Sequence, residues 1–197
     1  MAVRPAASGL AAMNNPLRIL TTLDRYLSGP EELTLFGRAA LVLGYPGSPS
    51  EFSSTRDVDA ILPLQWLESA GQHDDFWEAQ QRTNEALAGE GLYVTHLFRE
   101  SDLILTPEWF TRRVRIPLEL RWLTLYRPHT LDLILTKMAR ADENDLTDLR
   151  FLLRQEHFTA AELQAAFARA RVPEVPEIRR LFEQAQPRVL ALLEAHP

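Results

Sequence analysis

The sequence predicts an α/β (α+β) fold, a mixed-sheet core followed by a C-terminal helical bundle. Three observations carry this. Asp57–Leu62 (DVDAIL) has the two-residue alternation of a strand and stops at Pro63. Residues 33–36 are strand-like, are broken by Gly37, and lead straight into the apolar run 38–44. After Pro128 the strand-like runs cease and each segment has helical periodicity. The organisation expected is a disordered tail over 1–14, an α/β core over 15–127 and a helical domain over 128–197.

Asn15-Pro16 opens the first helix, Asn as N-cap and Pro at the first helical position. Leu17, Leu20, Leu23 and Leu27 recur at helical spacing, and Ser28-Gly29-Pro30 ends the run. Residues 45–54 (YPGSPSEFSS) are a loop by composition. Residues 74–91 read as an amphipathic helix with Phe76, Ala79, Ala86 and Leu87 toward the core. Residues 92–98 and 102–105 read as two strands, and 114–116 with 120–126 as a further pair. Helices are expected over 129–140, 145–155, 160–171 and 177–195. Thr159 and Glu162 form a capping box before the third of these, and Pro187 is expected to kink the last.

Composition narrows the chemistry. The chain has 197 residues, 46% apolar and 24% charged, enough to bury a core without staples. It has no cysteine, which excludes disulfides and thiolate zinc sites and fits a cytoplasmic protein. No run approaches the ~20 apolar residues of a membrane span. The net charge of −6 disfavours a general nucleic-acid binder but leaves open an anionic substrate held through a cation. The five histidines show no metal-ligand spacing. Arg112, Arg113 and Arg115 lie near Trp109, Phe110 and Trp122, an interleaving that either stacks on single-stranded RNA or forms an ordinary strand face over an aromatic core.

The chemistry-bearing signal is LFGRAALVLGY followed by STRDVDAIL. On a strand, Asp57 and Asp59 share a face. Two adjacent carboxylates repel, and a cation relieves that repulsion. Hard oxygen ligands suit Mg²⁺ (or Mn²⁺), commonly bound by one or two carboxylates plus substrate phosphates. A strand that ends at Gly37 and turns at once into a helix aims free N–H groups at the turn, which suits phosphate. A lone D-x-D is also what a solvated strand end looks like. The order of the pieces, Gly turn, apolar helix, loop and D-x-D strand, is what points to phosphoryl or nucleotidyl transfer.

These residues resemble the nucleotidyltransferase superfamily (the DNA polymerase beta-like fold), in detail its bacterial group related to AbiEii abortive-infection toxins. Phe36-Gly37-Arg38-Ala39-Ala40-Leu41 stands for the family's Gly-turn helix. Thr55, Asp57 and Asp59 stand for its Ser-x-Asp-x-Asp. Residues 131–137, ending in Lys137, and 145–149, with Asp145 and Asp148, stand for its later Lys and Asp-rich helix. The resemblance covers most of residues 33–155. It implies a nucleotidyltransferase-like core that transfers a nucleotidyl group from an NTP to an acceptor hydroxyl. Asp57 and Asp59 would be catalytic and hold the metal. Gly37, Arg38, Thr55 and Lys137 would hold the nucleotide. A cognate toxin or antitoxin protein and an RNA acceptor are the implied partners.

Two departures qualify it. Arg38 stands where the family has a second small residue, so its guanidinium either pairs with Asp57 and Asp59 or contacts the triphosphate; Gly37's retention favours the triphosphate. The family also uses a third carboxylate on a later strand. Asp102 is the candidate, expected on a neighbouring strand, with Glu119 as the alternative. If neither reaches the pair, the fold serves binding alone.

Overall fold

The computed structural model describes residues 14–140 and 142–195; of the tail expected over 1–14, residues 1–13 lie outside the described residues and Asn14 caps the first helix. Helix α1 (Asn15–Tyr26) begins one residue earlier than its sequence signal. Asn14 is the N-cap, its side chain accepting from Leu17 N–H at 2.8 Å, so Asn15 and Pro16 fill the first helical turn. Strand β1 (Glu31–Phe36) runs into α2 (Gly37–Gly44) with no intervening loop. Then come β2 (Asp57–Leu62), the short α3 (Leu64–Glu68), α4 (Asp74–Leu87), β3 (Tyr93–Arg99), β4 (Val114–Arg115) and β5 (Leu123–Arg127). Four helices close the chain: α5 (Thr130–Lys137), α6 (Glu143–Gln155), α7 (Ala160–Arg169) and α8 (Pro176–Glu194). The Thr159–Glu162 capping box forms at the start of α7. Helix α8 is continuous through Pro187.

The strands make one mixed sheet in the order β3-β2-β1-β5-β4. Strand β1 is antiparallel to β2 and parallel to β5; β2 is parallel to β3. Strict alternation sorts the side chains. Leu33, Leu35, Val58, Ala60, Leu123 and Leu125 share the face covered by α1, α2 and α4, and all are buried. Thr34, Phe36, Asp57, Asp59, Ile61 and Tyr126 share the other. One hydrophobic cluster runs from that core into the C-terminal helices, where Phe151 of α6 meets the rings of Tyr45 and Phe52.

Residues 102–105 do not form the expected strand. Glu100–Asp102 is a 3₁₀ turn, and Leu105 makes only an isolated bridge to Arg171. The apolar pattern there reflects burial rather than pairing, since Ile104 and Leu105 lie in the core. The helix expected over 74–91 is α to Leu87 and 3₁₀ over Ala88–Glu90, stopped by Gly91 at φ 64°.

Among the polar side chains that tie elements together, three sets bear on the sheet and the core. The buried Asp24 carboxylate on α1 accepts the N–H groups of Arg121, Trp122 and Leu123 at 3.0, 2.8 and 2.9 Å, fixing where β5 begins. Asn84 on α4 both donates to and accepts from the backbone of Val94, at 2.9 and 2.7 Å, and Gln80 donates to the same carbonyl at 2.8 Å. On α5, Asp132 accepts the N–H and hydroxyl of Thr106 at 2.7 and 2.8 Å. Its second oxygen is buried with no hydrogen-bond partner among the described residues.

Asp24→Ala removes one acceptor from three backbone donors. It is expected to cost about 3 kcal/mol, the worth of one or two charge-assisted bonds, read from the urea midpoint. A loss below about 1 kcal/mol would show that water replaces the carboxylate.

Burial holds the Asp132 carboxyl above its ordinary value of 3.8, against the Thr106 hydrogen bonds and the nearby Arg112 and His129. The folded state therefore binds this proton more tightly than the unfolded chain. The stability it contributes is complete below the ordinary value and is lost as pH rises through the folded value. Asp132→Asn removes the titration. The stability of the wild type relative to the variant is expected to fall as pH rises from about 4. A pH-independent difference would show that Asp132 does not titrate in this way.

Candidate functional site

Gly37 has no side chain for two reasons. Its φ is +63°, which an L side chain rarely adopts. A Cβ built on it would also lie 2.8 Å from Asp59 Oδ2. The carboxylate of β2 thus occupies the space beside the strand-to-helix corner where a side chain would sit. Phe36 and Asp59 are direct cross-strand partners, so this contact follows from the β1–β2 register. Asp57 lies two residues back on the same face and accepts from the Thr55 hydroxyl at 2.7 Å. Both aspartates are half-buried. The corner holds what the sequence pointed to: Gly37, Thr55, Asp57 and Asp59.

Arg38 is held on α6 rather than on the aspartate pair. Its guanidinium reaches across to α6, with Nε 3.3 Å from Asp148 Oδ1 and Nη2 3.3 Å from Asn144 Oδ1, and lies 5.1 Å from the centre of the Phe52 ring. The direction is set by charge. Asp148 is 1% exposed at its side chain and Asp145 3%, and a buried carboxylate needs a cation. Lys137, at the end of α5 and itself 11% exposed, donates to both, at 2.6 Å to Asp148 and 3.3 Å to Asp145. Its ammonium is therefore engaged in joining α5 to α6. Arg140 completes the set, its Nε and Nη2 3.3 and 3.4 Å from the two oxygens of Asp145. Hydrogen bonding to Asp145 and the charges of Asp145, Asp142 and Asp59 hold the Arg140 guanidinium above its ordinary value, against a desolvation that lowers it. At 71% side-chain exposure, Arg140 is the accessible cation of this group. Sequence reasoning passed over it. The signal available was its position one helical turn after Lys137.

Asp102 is not at this corner. Its Oδ2 accepts the N–H of Arg99 at 3.3 Å, in the 3₁₀ turn that follows β3. Arg99 pairs with Leu62, so Asp102 lies past the end of the sheet opposite to Asp57. Leu62 is three strand steps beyond Asp59, on the order of 10 Å, before the turn is added. There it lines a cavity of about 560 Å³ with Glu100, Trp109, Arg171 and Glu174. Glu119 is exposed, between β4 and β5 on the other side of the sheet. Strand β3, beside the aspartates, has the sequence YVTHLFR and supplies no carboxylate. Arg113, expected in a basic-aromatic strip, is an internal clamp. It stacks on Phe110 and Tyr126 at 3.8 and 4.4 Å and donates to Thr34 at 3.0 Å.

Among the described residues, no group of three or more His, Asp or Glu side chains is arranged to hold a metal. Asp57 and Asp59 fit a narrower requirement. Two hard carboxylates on one face, one beside a helix N-terminus, suit Mg²⁺ or Mn²⁺ that arrives with a phosphate and completes its shell from the ligand and water. They do not suit a resident all-protein cage. Among the described residues no helix is long and apolar enough to cross a membrane. Comparison with protein-family models, curated proteins and solved structures finds no match.

Lys137→Met leaves Asp145 and Asp148 with Arg38 and Arg140 alone. It is expected to cost about 3 kcal/mol, the lower end for breaking a buried pair, measured by urea unfolding. Adding Asp145→Asn and Asp148→Asn is expected to recover much of the loss. A single variant within about 0.5 kcal/mol of wild type would show that the two arginines carry the aspartates unaided.

Proposed function

We propose that this chain is a nucleotidyltransferase-fold protein that binds a nucleoside triphosphate with Mg²⁺ (or Mn²⁺) and transfers the nucleotidyl group to an acceptor hydroxyl. The observation that carries the reading is the seat of Asp59 against Gly37. A carboxylate, a positive-φ glycine and a helix N-terminus meet at one corner, with Asp57 two residues away.

In this reading Asp57 and Asp59 hold the metal, which supplies charge neutralisation at the phosphates. The Thr55 hydroxyl fixes the orientation of Asp57. The Gly37 turn lets phosphate oxygens reach the first N–H groups of α2. Arg140, exposed and near Asp59, meets the remaining phosphate charge. Lys137 and Arg38 act at one remove, holding α6 and α2 in register around the corner. In the transfer, the acceptor oxygen bonds the α-phosphorus, the bond to the bridging oxygen breaks, pyrophosphate leaves and the hydroxyl proton passes to a base.

A second reading has its own observation. Asp102 and Glu119 lie away from the pair and β3 brings no acid, so neither candidate supplies the third carboxylate implied by the family resemblance among the described residues. Without a base the corner binds and does not transfer. The chain then acts as a binding module, with a cognate protein of a toxin–antitoxin pair as the partner to test.

Mg²⁺ with ATP is expected to raise the melting temperature. A ligand at one hundred times its Kd adds about 2.7 kcal/mol, or roughly 5–10 °C for a chain of this size. Asp57→Asn with Asp59→Asn is expected to abolish the shift while the metal-free protein still unfolds cooperatively. An equal shift in wild type and double variant overturns the site. Incubation with α-³²P-labelled NTPs and total RNA or protein separates the two readings. Label retained on an acceptor supports transfer, and binding without retained label supports the binding module.

A further inference from the structure

Tyr93 is one of the few large apolar side chains left exposed, at 37%. It opens edge strand β3 and is the register partner of Asp57, so the two side chains stand on the same face of neighbouring strands. Among the described residues its hydroxyl makes no hydrogen bond and its ring meets no other ring. Its backbone, in contrast, is held. The Tyr93 N–H donates to the Arg56 carbonyl at 3.1 Å, and the next residue, Val94, is gripped by Asn84 and Gln80. An open ring on a fixed backbone is what a stacking surface needs, because little ordering remains to be done on binding.

Two further observations leave room for a ligand beside it. The pairing steps from Val58–Val94 to Ala60–Leu97, so Asp59 faces two residues, 95 and 96, on β3. Such bulges re-aim side chains at sheet edges and beside sites. The face next to Tyr93 is also open, since Thr95 is exposed and Asp57 is half-buried. Neighbouring strands lie about 4.8 Å apart, and a tyrosine ring reaches farther than that from its own backbone. The ring therefore stands within one nucleoside's length of the aspartates.

We propose that Tyr93 is the platform on which the base of the bound nucleotide stacks. The inference rests on the nucleotide reading above and adds the part of the substrate that the phosphate corner leaves unrecognised. Stacking tolerates any base, since each has a π-face. Tyr93 consequently sets affinity for nucleotides as a class, with purines favoured over pyrimidines by their larger area.

Calorimetric titration of the full chain with Mg²⁺-ATP and with Mg²⁺-tripolyphosphate tests this in wild type, Tyr93→Ala and Tyr93→Phe. Tyr93→Ala is expected to weaken ATP about 5- to 150-fold, the range for one base–aromatic stack, and to leave tripolyphosphate within about twofold. Tyr93→Phe keeps the ring and is expected to keep ATP within about threefold of wild type. If Tyr93→Ala binds both ligands like wild type, the base lies elsewhere and this inference fails while the nucleotide reading stands. If it weakens both equally, Tyr93 shapes the phosphate corner instead, and the inference fails in that form. Wild type that binds neither ligand overturns the nucleotide reading and this inference with it.

Discussion

The two buried aspartates of α6 are the constraint around which the C-terminal half is arranged. Asp145 and Asp148 are removed from water on a helix that also buries Leu149, Phe151, Leu152 and Leu153. Their charges require cations, and the cations come from three places: Lys137 and Arg140 near the end of α5, and Arg38 at the start of α2. Each ion pair therefore joins α6 to another element. The Arg38 pair also fixes the first turn of α2, and so the corner where Gly37 meets Asp59. A charge requirement in one half of the chain thus positions the strand-to-helix corner in the other.

Much of this was legible in the sequence, for local reasons. Strand β2 falls on the bounds that its alternation and Pro63 indicate. Gly37 marked the break between a strand and a helix, and the strand-to-helix corner falls there. The capping box at Thr159 needs only residues three apart. The failures share the opposite property. Asp102-Leu-Ile-Leu looked like a strand because buried irregular backbone and buried strands have the same apolar content, and only distant chain decides between them. In this fold the distant chain is Arg171, which supplies a single bridge. The position of Arg38 depended on Asp148 and Asn144, both more than a hundred residues away.

The basic-aromatic segment teaches a related lesson. Arg113 lies between the rings of Phe110 and Tyr126 and bonds Thr34. A guanidinium satisfied in this way covers the sheet face beside Thr34 and Ile61, both nearly inaccessible to water. The same residue types at the same spacing serve a nucleic-acid surface or an internal lid, and the strands they fold back on make the choice.

The grip of α4 on Val94 bears on the solubility of the whole chain. An unprotected edge strand offers a row of donors and acceptors that another polypeptide can extend. Asn84 and Gln80 engage those of Val94 with side-chain amides, in effect lending β3 a short piece of false neighbour. The opposite edge, β4, is two residues long, carries Arg115 and is followed by Pro117, so it offers little to extend. At the start of this edge, a protein that associates with the chain meets side chains rather than free ladder groups. It follows that α4 guards against aggregation. Loosening that helix would uncover the β3 edge while the sheet itself stayed intact, and polymerisation through that edge would begin before global unfolding.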